Sequence, residues 1–268
     1  MRMLVTRFLS RRSQDLLTSS GWSFADSTGN ARMVCERPAL FLKLTGSERD
    51  PAPEARPLRS IKGPVAGRII RELIDRKPPY GVRELAFRSA TSAAMASRVV
   101  ALLEREAIVD KDGRGPILRV DWRALLERWA QEYSVLGTNR TERFLALRGR
   151  GPMLEKLKQT KLRYAITGAL AAEAMRSVAS SPMSVLYTDD VPAMARELEL
   201  EPMKSPANVT LVQPFDDMNY LRKRELDGLW YAAPSQVAAD LLGGGDRDPQ
   251  IARAVMSWME ENEHAWRT

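Results

Sequence analysis

The chain has 268 residues, with 41 Lys or Arg against 34 Asp or Glu, a formal net charge of +7, one histidine and one cysteine. A lone cysteine, Cys35, excludes an internal disulfide and fits a reducing cytoplasm. No run of about eighteen apolar residues occurs, which excludes a transmembrane helix and leaves no membrane partner expected. Met1 to Arg12 alternates apolar and basic residues without the apolar core or small-residue cleavage site of a signal peptide.

In chain order, the first expected element is a helix over Val5 to Leu17. Short strands at Trp22 to Ala25 and Ala31 to Val34 flank Asp26-Ser27-Thr28-Gly29-Asn30, a turn-forming cluster. Pro38 leads into a third apolar run, Ala39 to Leu44. Asp26 and Lys43 suit a restriction-nuclease-like sheet, but Phe41 stands where an acid is needed two residues before the lysine, so no active nuclease is expected. Thr45 to Pro57 is charged, Pro-rich and aperiodic, and reads as a linker.

Pro64 to Val120 carries the most specific pattern. Ile69, Ile70, Leu73 and Ile74 form a helical stripe within Arg68 to Arg76, stopped by Pro78-Pro79-Tyr80-Gly81. A short helix, Val82 to Phe87, and a turn through Arg88-Ser89-Ala90 come next. A third helix opens at Thr91 or Ser92, both good N-caps, and runs to about Glu106. Its Met95, Val99, Leu102 and Leu103 make a buried stripe, and Ser92, Ala93, Ala96, Ser97 and Val100 the opposite, small-residue face. Ile108 to Asp110 and Ile117 to Val120 then bracket Lys111-Asp112-Gly113-Arg114-Gly115, a β-hairpin with an Asp-Gly turn. Three helices followed by a hairpin spell a winged helix-turn-helix, whose usual role is to hold duplex DNA, although such domains also serve protein contacts.

Asp121 caps a further helix, Trp122 to Tyr133. Gly137 to Arg163 is loose and very basic, with eight Arg or Lys against two acids. Beyond it, strands at 164–168, 184–188, 208–213 and 228–232 alternate with helices at 169–175, 191–198, 236–242 (capped by Ser235) and 250–261, a mixed α/β region. The expected class is therefore α+β. Residues 1–57 form a small β-rich segment with linker, 58–135 the winged helix-turn-helix, and 136–268 a basic connector with a mixed α/β domain. No sustained heptad appears, so the oligomeric state is not written in the pattern.

Chemistry-bearing motifs are sparse. His264 and Cys35 have no catalytic surroundings, and four metal ligands at zinc spacing are absent, so no catalytic residue, metal or cofactor is expected. Gly243-Gly244-Gly245 lacks the Lys-Ser or Lys-Thr of a P-loop and reads as a helix stop. The pairs Asp189-Asp190 and Asp216-Asp217 raise the alternative of a Mg²⁺-dependent nucleic-acid-processing enzyme. Adjacent residues on a strand diverge, however, and turns or caps suit them better.

Several stretches resemble the AbiEi-type antitoxin and winged-helix transcriptional regulators of type IV toxin–antitoxin systems, in an actinobacterial branch. They include Gly21-Trp22-Ser23-Phe24-Ala25-Asp26, Pro79-Tyr80-Gly81-Val82-Arg83-Glu84-Leu85-Ala86, Tyr164-Ala165-Ile166-Thr167-Gly168 and Ala233-Pro234-Ser235-Gln236-Val237. The resemblance implies a cytoplasmic, nucleoid-bound autorepressor whose partner is double-stranded DNA at its own operator. It also implies a toxin encoded nearby, with no obligatory contact between the two proteins.

On the residues themselves, the third helix would enter the major groove with Thr91, Ser92, Ala93, Ser97 and Arg98 near bases and phosphates. Arg88 before it and Lys111 and Arg114 on the wing suit phosphates or a minor groove; Arg148, Arg150, Lys156, Lys158 and Lys161 either extend the footprint or form a solvated basic loop. The excess of about fourteen positive charges before Ser184, against about seven negative charges after it, favours DNA on the front of the chain.

Overall fold

The computed structural model describes residues 2–48, 58–176, 181–245 and 248–268; the part of the expected linker from 49 to 57 lies outside them. The chain divides into two units, Met1–Arg56 and Pro57–Thr268.

In the first unit, strand β1 (Met3–Thr6) and helix α1 (Arg11–Ser19) precede β2 (Ser23–Asp26), β3 (Ala31–Cys35) and β4 (Leu40–Leu44). They build one sheet in the order β1-β2-β3-β4. The helix expected from Val5 begins only at Arg11, because the Ser10 side chain accepts the Ser13 amide at 3.2 Å and so fixes the N-cap. Met3–Thr6 instead pairs in parallel with Ser23–Asp26. Asp26 organises the β2–β3 turn, taking the Leu9, Thr28 and Asn30 amides and the Thr28 and Asn30 side chains at 2.7–3.0 Å. Gly46 and Ser47 dock on that turn rather than beginning a free linker: a Cβ on Gly46 would lie 2.1 Å from the Thr28 carbonyl oxygen.

The second unit opens with α2 (Pro64–Asp75), α3 (Val82–Arg88) and α4 (Ala93–Arg105), then the hairpin β5 (Val109–Lys111) and β6 (Ile117–Val120), and α5 (Trp122–Ala130). α2 is buried over most of its surface, polar residues Arg71, Glu72 and Asp75 included, which makes it the central helix of the unit. Tyr80 exchanges backbone hydrogen bonds with Ile117, tying the α2–α3 connection to the hairpin. Asp121 caps α5, accepting the Ala124 amide at 2.9 Å.

After α6 (Val135–Thr138) come β7 (Arg140–Leu145), α7 (Arg150–Gln159), β8 (Tyr164–Thr167), α8 (Gly168–Met175), β9 (Ser184–Thr188), α9 (Val191–Glu197), β10 (Glu201–Pro202) and β11 (Val209–Gln213). A 3-10 turn at Asp217–Tyr220 leads to β12 (Arg224–Leu226), β13 (Leu229–Tyr231), α10 (Pro234–Leu242), α11 (Asp248–Glu261) and α12 (Glu263–Trp266). The mixed sheet runs β10-β7-β11-β9-β8-β13-β12. The fold is α+β.

Three expectations change here. The basic stretch 137–163 is not loose: β7 lies between β10 and β11 within the sheet, and α7 buries Met153 and Leu157 one turn apart. Ser235 does not cap α10; Ala233 holds the N-cap position and Ser235 is buried inside the first turn. No boundary at 135/136 separates compact units. One apolar core runs from Ile61 to Trp266, because α10 packs on α2 and α5 as well as on α8 and α11.

Candidate nucleic-acid interface

The α3–α4 turn is set by short polar side chains. The Ser89 hydroxyl donates to the Leu85 carbonyl at 2.7 Å and lies 2.9 Å from the Thr91 hydroxyl, while the Thr91 amide donates to the Ala86 carbonyl. Ala90 takes a left-handed φ of 49°, which redirects the chain between the two helices. Ser92 is then the N-cap of α4, accepting the Met95 amide at 3.2 Å, and it is exposed.

The outward face of α4 carries Ala93, Ala94, Ser97, Arg98 and Ala101, all exposed and joined through i, i+3 and i, i+4 spacings. Ala96 and Val100, expected on that face, are instead buried with Val99, Leu102 and Leu103. The reason is geometric: a helix wedged between α3, α2 and the hairpin presents a wide apolar arc to the core, and small Ala96 permits close approach. Thr91 is half-buried and already engaged with Ser89, so its hydroxyl serves the turn.

Arg88 is the last residue of α3 rather than part of the turn. It bonds Glu84 at 3.3 Å, a carboxylate that also takes Arg76 at 2.7 Å. Lys111 is half-buried on β5, its ammonium 3.6 Å from Glu104, and so points back at α4 instead of standing at the hairpin tip. Arg114 is exposed at that tip, and among the described residues no carboxylate pairs with it.

Arg148 and Arg150 belong to other elements. Arg148 follows β7, 3.7 Å from Glu199; Arg150 opens α7, bonds Glu173 at 2.9 Å and also donates to the Ser181 carbonyl. Arg150 is therefore an internal brace between α7 and α8, not an extension of the α4 face. The structure thus brings Ser92, Ala93, Ser97 and Arg98 onto one helix face and leaves Arg148 in the β7–α7 connection and Arg150 on α7. Arg83 and Phe87, one turn apart on α3, were missed; both are exposed, Phe87 at 87%. Their i, i+4 spacing outside the apolar set Leu85 and Ala86 is the signal that marks them as outward-facing.

The C-terminal acids act as caps and ion-pair partners. Asp190 accepts the Ala193 amide at 2.9 Å, and Asp216 accepts the Met218 amide at 2.9 Å while both its oxygens take the Arg68 guanidinium. Burial raises the Asp216 carboxyl, but Arg68 and the Met218 amide outweigh it and hold the group below the usual carboxylate range. Asp217 and Asp189 flank Arg163 at 2.7 and 3.6 Å. Among the described residues no three His, Cys, Asp or Glu side chains converge for a metal ion, and no helix is long and apolar enough to cross a membrane. Comparison of the chain with family models, curated proteins and solved structures finds no match in any of the three.

Proposed function

We propose that α2, α3, α4 and the β5–β6 hairpin form a winged helix-turn-helix, and that the protein is a sequence-specific double-stranded DNA-binding regulator. The observation that carries this reading is the outward face of α4. Its side chains end at a methyl or a hydroxyl, with one guanidinium among them, so the backbone can approach base edges closely. At thirteen residues α4 is about 20 Å long, enough to lie in a major groove. Ser92, Ala93, Ser97 and Arg98 would meet bases and phosphates, and Arg114 at the hairpin tip would meet phosphate or a minor groove.

In this reading the chain is a cytoplasmic, nucleoid-bound autorepressor of the AbiEi-type antitoxin group, non-enzymatic and free of cofactors. A toxin encoded nearby need not touch it. The test is a fluorescence-anisotropy titration with DNA from upstream of its own gene against a scrambled duplex, at two salt concentrations. A hundredfold preference that survives the higher salt supports the reading; equal binding that collapses with salt rejects it.

A second reading, a winged helix used for protein contact, is favoured by Phe87. A phenylalanine this exposed, beside Arg83, suits an aromatic anchor in a protein interface. It predicts weak, strictly salt-controlled DNA binding with no preferred sequence.

A further inference from the structure

Between α8, α11 and the β12–β13 hairpin lies a cavity of about 240 Å³, walled by Ala171, Ala174, Met175, Tyr231 and Trp258. Alternation along the hairpin sets Arg224 opposite Tyr231 in register, so both side chains serve the same face of the sheet. Arg224 is half-buried, with its guanidinium carbon 5.4 Å from the centre of the Trp258 ring. Among the described residues no carboxylate pairs with that guanidinium and no side-chain hydrogen bond satisfies it.

This is unusual within the second unit, in which other partly covered guanidiniums, such as those of Arg68, Arg128 and Arg150, each meet a carboxylate. Burial alone depresses the Arg224 guanidinium below the ordinary arginine range, with no acid pulling the other way. A cation drawn out of water beside an apolar, aromatic-walled cavity is half of a recognition pair. Its complement is an anion carrying an apolar body, and arginine's planar fork matches a carboxylate. The volume suits a ligand of about ten to thirteen non-hydrogen atoms. Glu225, the next residue, stands exposed at the rim, where a second negative charge on the ligand would be repelled.

We propose that this cavity binds a small aromatic monocarboxylate, its carboxylate on Arg224 and its ring against Trp258, Tyr231 and Met175. The site is independent of the α4 face and of the DNA reading.

The test is isothermal titration calorimetry of the full chain with benzoate, salicylate, 1-naphthoate and indole-3-acetate, each compared with its neutral amide. At least one acid should bind, and its amide at least tenfold more weakly. Arg224→Met should weaken the acid at least tenfold and leave the amide unchanged. Ala174→Leu, which fills the cavity and keeps Arg224, should weaken acid and amide alike, and it keeps the proposal testable should Arg224→Met fail to fold. The proposal is overturned if none of the four acids binds, if acid and amide bind equally, or if binding survives Ala174→Leu.

Discussion

Arg71 of α2 and Gln236 of α10 stand 165 residues apart and meet at 2.6 Å, deep inside the second unit. The same guanidinium donates to the Met218 and Leu221 carbonyls and pairs with Asp75 at 2.9 Å, with both side chains of that pair almost fully buried. Removing Arg71 leaves the buried Asp75 carboxylate with only the Arg222 guanidinium, at 3.7 Å, to offset it. Arg71→Met should therefore cost about 3–5 kcal/mol, read by urea unfolding, and Arg71→Met/Asp75→Asn should recover part of it. A loss below about 1 kcal/mol would show that the pair is not a structural anchor.

Asp240 is the neighbouring hub. It accepts from Tyr133, Tyr187, Thr167 and Gln236 at 2.5–2.8 Å. Burial pushes its carboxyl above the usual range even though those four donors pull down. A raised folded-state value means the folded protein holds the proton at a pH where the unfolded chain has lost it. Stability should then fall as pH rises from about 4 through the raised value and level off above it. Asp240→Asn does not titrate, so its stability relative to the parent should improve across that window. A difference that stays flat with pH rules the linkage out.

Asp26 behaves in the opposite sense. Burial raises its carboxyl, yet hydrogen bonds from Thr28, Asn30 and the Leu9 amide together lower it to about 2. Its contribution should be complete above the ordinary value of 3.8 and be lost as pH falls through about 2. The protection factors of the Thr28 and Asn30 amides, corrected for intrinsic exchange and followed by NMR from pH 5 to pH 2, should fall as the carboxyl protonates. Asp26→Ala should abolish the pH dependence.

The α4 face permits a clean charge test. Ser97 is exposed, so Ser97→Glu should change stability by no more than about 0.5 kcal/mol, and on the proposed DNA-binding reading it should lower DNA affinity at least tenfold. Arg98→Ala should cost about 1–3 kcal/mol on the preferred sequence, while Arg114→Ala should weaken all sequences alike and reduce the salt slope by about 1. Identical effects of both arginine substitutions on specific and random DNA would sink the division of roles.

Elements held by local interactions are legible in the sequence. The α4 start at Ser92, the α5 start at Asp121 and the hairpin around Asp112-Gly113 each declare themselves through a cap or turn residue within a few positions. What stayed hidden depends on distant partners. The end of β1, Val5 and Thr6, reads as helix because only pairing with β2 makes it a strand, and β7 reads as loop because four of its six residues are polar. Site residues follow the same rule. Ser92, Ala93, Ser97 and Arg98 lie on a face that helical periodicity defines. Lys111, Arg148 and Arg150 have carboxylate neighbours at Glu104, Glu199 and Glu173, two of them far away in sequence. Charge counts along a chain cannot see those neutralising contacts.

The shared core has a consequence for synthesis on the ribosome. α2 and α5 are made before the layer that seals them, α10 with the Trp266 ring against Trp122 at 5.3 Å. The helical half must therefore wait, with its apolar surface uncovered, until α10 and Trp266 have been made. A ribosome stalled before Pro234 would hold a nascent chain that is protease-sensitive throughout the α2–α5 region, although every residue of that region has already been made.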